Sequence, residues 1–180
     1  LNAFTSQDWT CYHVSLPANR LDLWALMESE RLRDPVLREF YKERDVVAEE
    51  RRMRTETSPS GLLWERLVTT AYRAHPYGRP IIGWMPEIQG LTIAKARAFH
   101  QIHYAPCNAV GVLVGDIDIE TTPALLERTF GRIPAGPPSP AITVVEPPQM
   151  EERRVEVPFD ASPRLLMVFH KPKAPDPDDT

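Results

Sequence analysis

The stretch ERDVVAEERRMR, Glu43 to Arg54, decides how the chain is read. It lies within a run from Val36 to Thr57, bounded by Asp34-Pro35 before it and Ser58-Pro59 after it, and that run reads as one helix. Wound at 100° per residue, Glu43 and Glu50 are two turns apart and point within roughly 20° of each other. Val47 falls about 40° to one side and Val46 about 60° to the other; Val36 and Phe40 share that face. Lys42, Arg44, Asp45, Glu49 and Arg52 take other directions and read as solvated. Two carboxylates therefore occupy the stripe expected to face the core. A buried, unpaired carboxylate is costly, so each must be paired, protonated or bound to a cation.

Two readings stay open at this point. In one, Glu50 forms an ion pair with Arg54, a helical turn further on. In the other, Glu50 is a metal ligand and Glu43 supports it from outside the coordination sphere. Spacing supplies no further ligands. His100 and His103 lie an i,i+3 step apart on a helix without a Glu or Cys beside them, a pattern that equally suits one surface and one packed histidine. His75 reads as a loop residue. No G-x-S-x-G, P-loop or dinucleotide glycine pattern occurs, and the Ser and Cys side chains have no identifiable base to activate them.

Before this helix, Thr10 to Leu16 reads as a strand ended by Pro17, and Asn19 as the cap of a helix carrying Leu23, Trp24, Met27 and Leu32. After it, Ser58-Pro59 is an N-cap with proline at the first helical position, opening a helix striped by Leu63, Leu67, Val68, Ala71 and Tyr72. His75 to Pro80 is a turn-rich loop. Thr92 caps a helix ending near Tyr104, Asn108 to Asp116 reads as a buried strand, and Thr122-Pro123 opens a short helix through Phe130. Residues 134–148 hold Pro134, Pro137, Pro138, Pro140, Pro147 and Pro148 and read as a semi-extended linker. Beyond it, Arg153 to Val157 and Arg164 to His170 look like two strands of a second, truncated domain, 149–180. This order predicts an α+β fold.

A chain of 180 residues suits one domain, or one domain and part of another. Lys and Arg total 21 against 25 Asp and Glu, a formal charge of −4, so no basic field draws a polyanion and a nucleic-acid partner is not expected. Hydrophobic residues make up 42%, enough for a core. The 19 prolines are about twice the usual share and mark boundaries. Cys11 and Cys107 fit neither a metal spacing nor a disulfide framework. No apolar stretch approaches the roughly 18 residues of a membrane span. Both ends read as cut, so the chain is expected to be an excerpt of a longer protein.

Four stretches together resemble the pitrilysin/insulinase family of zinc metallopeptidases, the inverted zincins. They are NAFTSQDWT (Asn2–Thr10), ERDVVAEERRMR (Glu43–Arg54), HPYGRPIIG (His75–Gly83) and LTIAKARAFHQIHYAPCNAVGVLVGD (Leu91–Asp116), in the family's usual order. The resemblance implies an antiparallel-rich sheet with helices packed on one side. It implies that residues 1–133 are the C-terminal part of one peptidase-like domain and 134–148 the linker into a second homologous domain. In this family zinc is held by two His of an H-x-x-E-H motif, whose Glu is the general base, and by a later Glu. By resemblance Glu50 is that third ligand and Glu43 its supporting carboxylate. Asn2, Ala3 and Phe4 resemble the edge strand that pairs with an extended peptide substrate, with Phe4 shaping a side-chain pocket.

No H-x-x-E-H occurs in these residues, and the motif is expected upstream of Leu1. The chain alone is then expected to be inert, because one carboxylate can neither hold Zn2+ tightly nor generate hydroxide, while its parent hydrolyses peptides or unfolded polypeptides. The implied partners are such substrates and a second homologous domain or subunit. The alternative is a non-catalytic paralogue serving as a scaffold or processing partner. Retention of both Glu43 and Glu50 favours the catalytic reading, since burial of the two carboxylates would otherwise go uncompensated. Relatives of this type include exported bacterial enzymes, so a periplasmic or exported parent is expected.

Overall fold

The computed structural model describes residues 1–171. They fall into two compact units, residues 1–44 with 89–142, and residues 45–88 with 143 onward. The fold is α+β.

In the first unit, β1 (Asn2–Thr5) and β2 (Thr10–His13) pair antiparallel, with Ala3 opposite Tyr12 and Phe4 opposite Cys11. The Ser6 N–H donates to the Trp9 carbonyl at 2.9 Å and closes the turn between them. Helix α1 (Leu21–Arg33) packs on α6 (Thr122–Thr129), and Trp24 meets Phe130 at the end of α6 with ring centroids 5.8 Å apart. Helix α5 (Ile93–His103) starts as its sequence requires, with the Thr92 hydroxyl accepting the Lys95 N–H at 3.2 Å. Beyond α5 the chain folds back, and the Cys107 N–H donates to the Ala135 carbonyl at 3.1 Å. Gly136 makes this return possible: its φ is +74°, and a Cβ there would lie 2.6 Å from that of Ala105.

Helix α2 spans Phe40–Arg51. It does not continue as α-helix to Thr57. It ends in a π-helical turn, Arg52–Glu56, closed by the Thr57 N–H on the Arg52 carbonyl at 2.9 Å. Helix α3 (Pro59–Ala71) follows with the expected cap, the Ser58 hydroxyl accepting the Gly61 N–H at 3.2 Å. Its first turn sits directly on the π turn, because a Cβ on Gly61 would lie 1.9 Å from the Arg54 carbonyl oxygen. A short helix, α4 (Met85–Gln89), buries Ile88.

The segment from 143 to 171 has no regular element and is tied to the end of α3. The Glu146 carboxylate accepts the backbone N–H groups of Arg73, Ala74 and His75 at 2.8, 2.8 and 2.9 Å. These bonds, with Arg153 nearby, hold its pKa down at about 2. Arg153 Nη1 donates to the carbonyls of Thr70 and Ala71 at 3.2 and 2.8 Å, which the helix end leaves unsatisfied. His170 Nε2 lies 3.0 Å from the Ala71 carbonyl, and its ring stacks on Tyr72.

Several sequence expectations need correction. The strand expected at Asn108–Asp116 does not form: Val110, Val112 and Val114 are 91%, 74% and 92% exposed. Arg153–Val157 and Arg164–His170 are likewise irregular. The reason is common to all three. An apolar strand is stable only when neighbouring strands take up its N–H and C=O groups, and the sheet among the described residues has only β1 and β2. β2 stops at His13 rather than Leu16 because β1 supplies partners only that far. Asn19 lies within a short 3-10 turn, Ala18–Arg20, and makes no capping bond; α1 begins at Leu21. No described helix is long and apolar enough to cross a membrane.

Candidate functional site

The carboxylates of α2 are built into the helix as the sequence implies, but the face they occupy is not sunk into a core. Val36 precedes the helix and is 80% exposed, Val46 is 53% exposed, and Glu43 is exposed. The Glu50 side chain is 38% exposed, and its Oε1 pairs with Arg54 Nη1 at 2.6 Å, the turn-spaced ion pair. Arg54 is 77% exposed, so this pair contributes on the order of 0–1 kcal/mol. Glu49 pairs with Arg52 on the solvated side.

Arg51 is the buried residue of α2, and the sequence reading passed over it. Its Nη1 donates to Glu65 Oε2 of α3 at 2.8 Å and to the Gly83 carbonyl at 2.8 Å; its Nη2 donates to Glu65 Oε1 at 3.3 Å. The Trp84 ring lies 5.4 Å from the guanidinium carbon. The Arg51 and Glu65 side chains are 5% and 7% exposed. A signal for this pair was present: Arg51 lies within roughly 20° of Phe40 on the wheel of α2, and Glu65 within about 20° of Tyr72 on that of α3. Opposite charges thus stood on the two apolar stripes.

The histidines adopt packed roles. The His100 ring stacks on Tyr104 at 4.9 Å, and His103 lies against Phe99 at 4.4 Å. His75 Nδ1 accepts the Tyr77 N–H at 3.2 Å in its loop. Among the described residues, no three His, Cys, Asp or Glu side chains converge as a metal site. Glu50 is part-exposed, and one of its two carboxylate oxygens makes the short contact to Arg54.

The peptide-binding expectation falls on β1. All four residues of this strand are exposed, and β2 is its single partner among the described residues, so its other edge carries unpaired backbone groups. Phe4 packs edge-on against Trp9 at 5.2 Å and tilts toward His13 at 6.4 Å, the two diagonal neighbours of its cross-strand partner. Tyr12 bonds through its hydroxyl to that of Tyr104 at 2.7 Å. Burial, with that bond, pushes the Tyr12 phenol above its ordinary range.

The fold is α+β, and two family models match the chain. Residues 1–84 match the model of the insulinases, peptidase family M16, and residues 90–180 match the model described as the peptidase M16 inactive domain. The chain belongs to the insulinase (M16) family. It is 40% identical over 131 residues to the zinc protease PqqE of Helicobacter pylori, an alignment covering 72% of this chain and 30% of that protein. The crystal structure of a protease from Helicobacter pylori matches with a TM-score of 0.71 at 36% identity, over 75% of this chain and 33% of that one. The periplasmic protease PqqL from Escherichia coli matches with a TM-score of 0.68 at 29% identity, over 82% of this chain and 17% of its own. The chain thus spans about a third or less of the length of these relatives.

Proposed function

We propose that the chain is part of a zinc metalloendopeptidase that hydrolyses peptides or unfolded polypeptides, to which it supplies one metal ligand, Glu50. The observation that carries this reading is the placement of Glu50 in the last turn of α2, part-exposed and two helical turns beyond Glu43, in a chain whose relatives include zinc proteases. Zinc, when bound, polarises the scissile carbonyl and lowers the pKa of its water. The work of this chain is to hold a negative charge at the Glu50 carboxylate, with Glu43 adding to the local negative potential, and to present β1. Asn2, Ala3 and Phe4 offer backbone groups to an extended peptide, which gives affinity with little sequence demand, while Phe4 and Trp9 shape a side-chain pocket.

By this reading the H-x-x-E-H histidines and the general base lie outside these residues, so the chain alone neither retains zinc nor cleaves peptide. Residues 1–133 belong to one peptidase-like domain, 134–148 to a linker and 149–180 to the start of a homologous domain. A neighbour described as the first half of PqqL supports a protein built of such halves. The periplasmic description of PqqL supports an exported parent.

The test is Glu50→Gln in the full-length protein. Loss of bound zinc and of peptide cleavage, with an unchanged circular dichroism spectrum, is expected. Unchanged zinc content would remove Glu50 from the ligand set, and a wild-type parent without zinc or cleavage would leave the scaffold reading.

A further inference from the structure

Resting on the reading of Glu50 as a ligand, we propose that Arg51 is a positioning residue that sets the direction of Glu50 through its buried clamp on Glu65, Gly83 and Trp84. The two residues are neighbours on α2, so their Cα–Cβ directions differ by about 100°, and holding the helix at Arg51 sets the azimuth from which Glu50 projects. The α-helical ladder gives way to a π-helical turn at Arg52, the residue after Arg51. Arg51 spans that turn from inside: its Nε lies 3.4 Å from Oε1 of Glu56, the last residue of the turn, while its Nη atoms grip α3 and the Gly83 carbonyl.

The chemistry of the clamp favours this role over simple stabilisation. A buried ion pair gains little over a well-packed apolar pair of similar volume, because desolvation offsets its Coulombic attraction. What it adds is direction. The planar guanidinium meets both oxygens of Glu65 at once and keeps a hydrogen for the Gly83 carbonyl, while its face lies against Trp84. A lysine ammonium lacks the fork, and an apolar side chain fixes no angle.

The experiment measures the zinc dissociation constant of the full-length protein, by competition with a chromophoric chelator, together with kcat and KM on a peptide substrate. The variants are Arg51→Lys, the double variant Arg51→Met/Glu65→Leu, and Glu50→Gln. Arg51→Lys is expected to weaken zinc binding by roughly 10- to 100-fold, as loss of a group that orients a ligand does, and to lower kcat with KM little changed. The double variant keeps the volume filled and removes both buried charges, so it tests the clamp even where Arg51→Lys fails to fold. It too is expected to bind zinc at least about tenfold more weakly. A folded double variant with wild-type zinc affinity overturns the proposal. Glu50→Gln separates the two failures: if it leaves zinc binding intact, the ligand reading falls; if it abolishes binding while the double variant does not, only the clamp falls.

Discussion

Glu65→Gln removes the negative charge from beneath Arg51 and leaves a guanidinium in a site only 5% exposed. Glutamine can return one acceptor oxygen, but the other position becomes an amide that faces a donor. Charge-assisted bonds of this kind are each worth about 1.5–3 kcal/mol, and breaking a buried pair from one side costs about 3–5 kcal/mol. The Gly83 carbonyl at 2.8 Å and Glu56 at 3.4 Å remain to the guanidinium, which places the expected loss near the lower end, about 3 kcal/mol. No allowance for solvent screening applies, since both side chains are inside. The loss is local, so the appropriate assay is amide hydrogen exchange on peptides from α2 and α3 in the full-length protein. At about 1.4 kcal/mol per factor of ten, exchange in the last turn of α2 and the middle of α3 should quicken on the order of 100-fold. Acceleration below about fivefold, equivalent to about 1 kcal/mol, would mean that the guanidinium is already solvated or paired elsewhere, and the reasoning would be wrong.

Glu146 ties the segment after 143 to α3 with a pKa lowered from 4.5 to about 2. A carboxylate whose folded pKa is depressed stabilises fully above its unfolded value and loses that contribution as pH falls from about 4.5 toward 2. Exchange protection of residues 73–75 should therefore decline across that window in the wild type and start low, without the decline, in Glu146→Gln. An identical pH profile in both proteins refutes the anchor. Gly61→Ala places a methyl 1.9 Å from the Arg54 carbonyl oxygen, a backbone atom that cannot swing aside. Overpacking of this kind typically costs 1–3 kcal/mol, and a thermal midpoint unchanged from wild type would show that α3 does not rest on the π turn.

Local physics was legible in the sequence. The Ser58-Pro59 start of α3 and the Thr92 cap of α5 were readable because their partners lie within a turn. So was the Glu50–Arg54 pair, which the spacing offered as one of two open readings. The family, too, was legible, in the four stretches between Asn2 and Asp116. The direction of the α2 face was not. Helical periodicity says which residues share an azimuth, but which azimuth meets other atoms depends on what packs there, and in this structure that is Arg51 rather than Glu43.

Beyond those particulars, the amino-acid sequence determined the Ser58 and Thr92 caps, the two-turn spacing of Glu43 and Glu50, and membership in the insulinase family. Tertiary structure alone decided the pairing of Arg51 with Glu65, the capture of three backbone N–H groups by Glu146, and the failure of the Asn108–Asp116 segment to become a strand. The physical reason is the range over which each contact closes. Caps and turn-spaced pairs are settled by neighbouring dihedral angles, whereas a buried ion pair or a strand needs a partner far along the chain, and only the folded molecule brings it there or fails to.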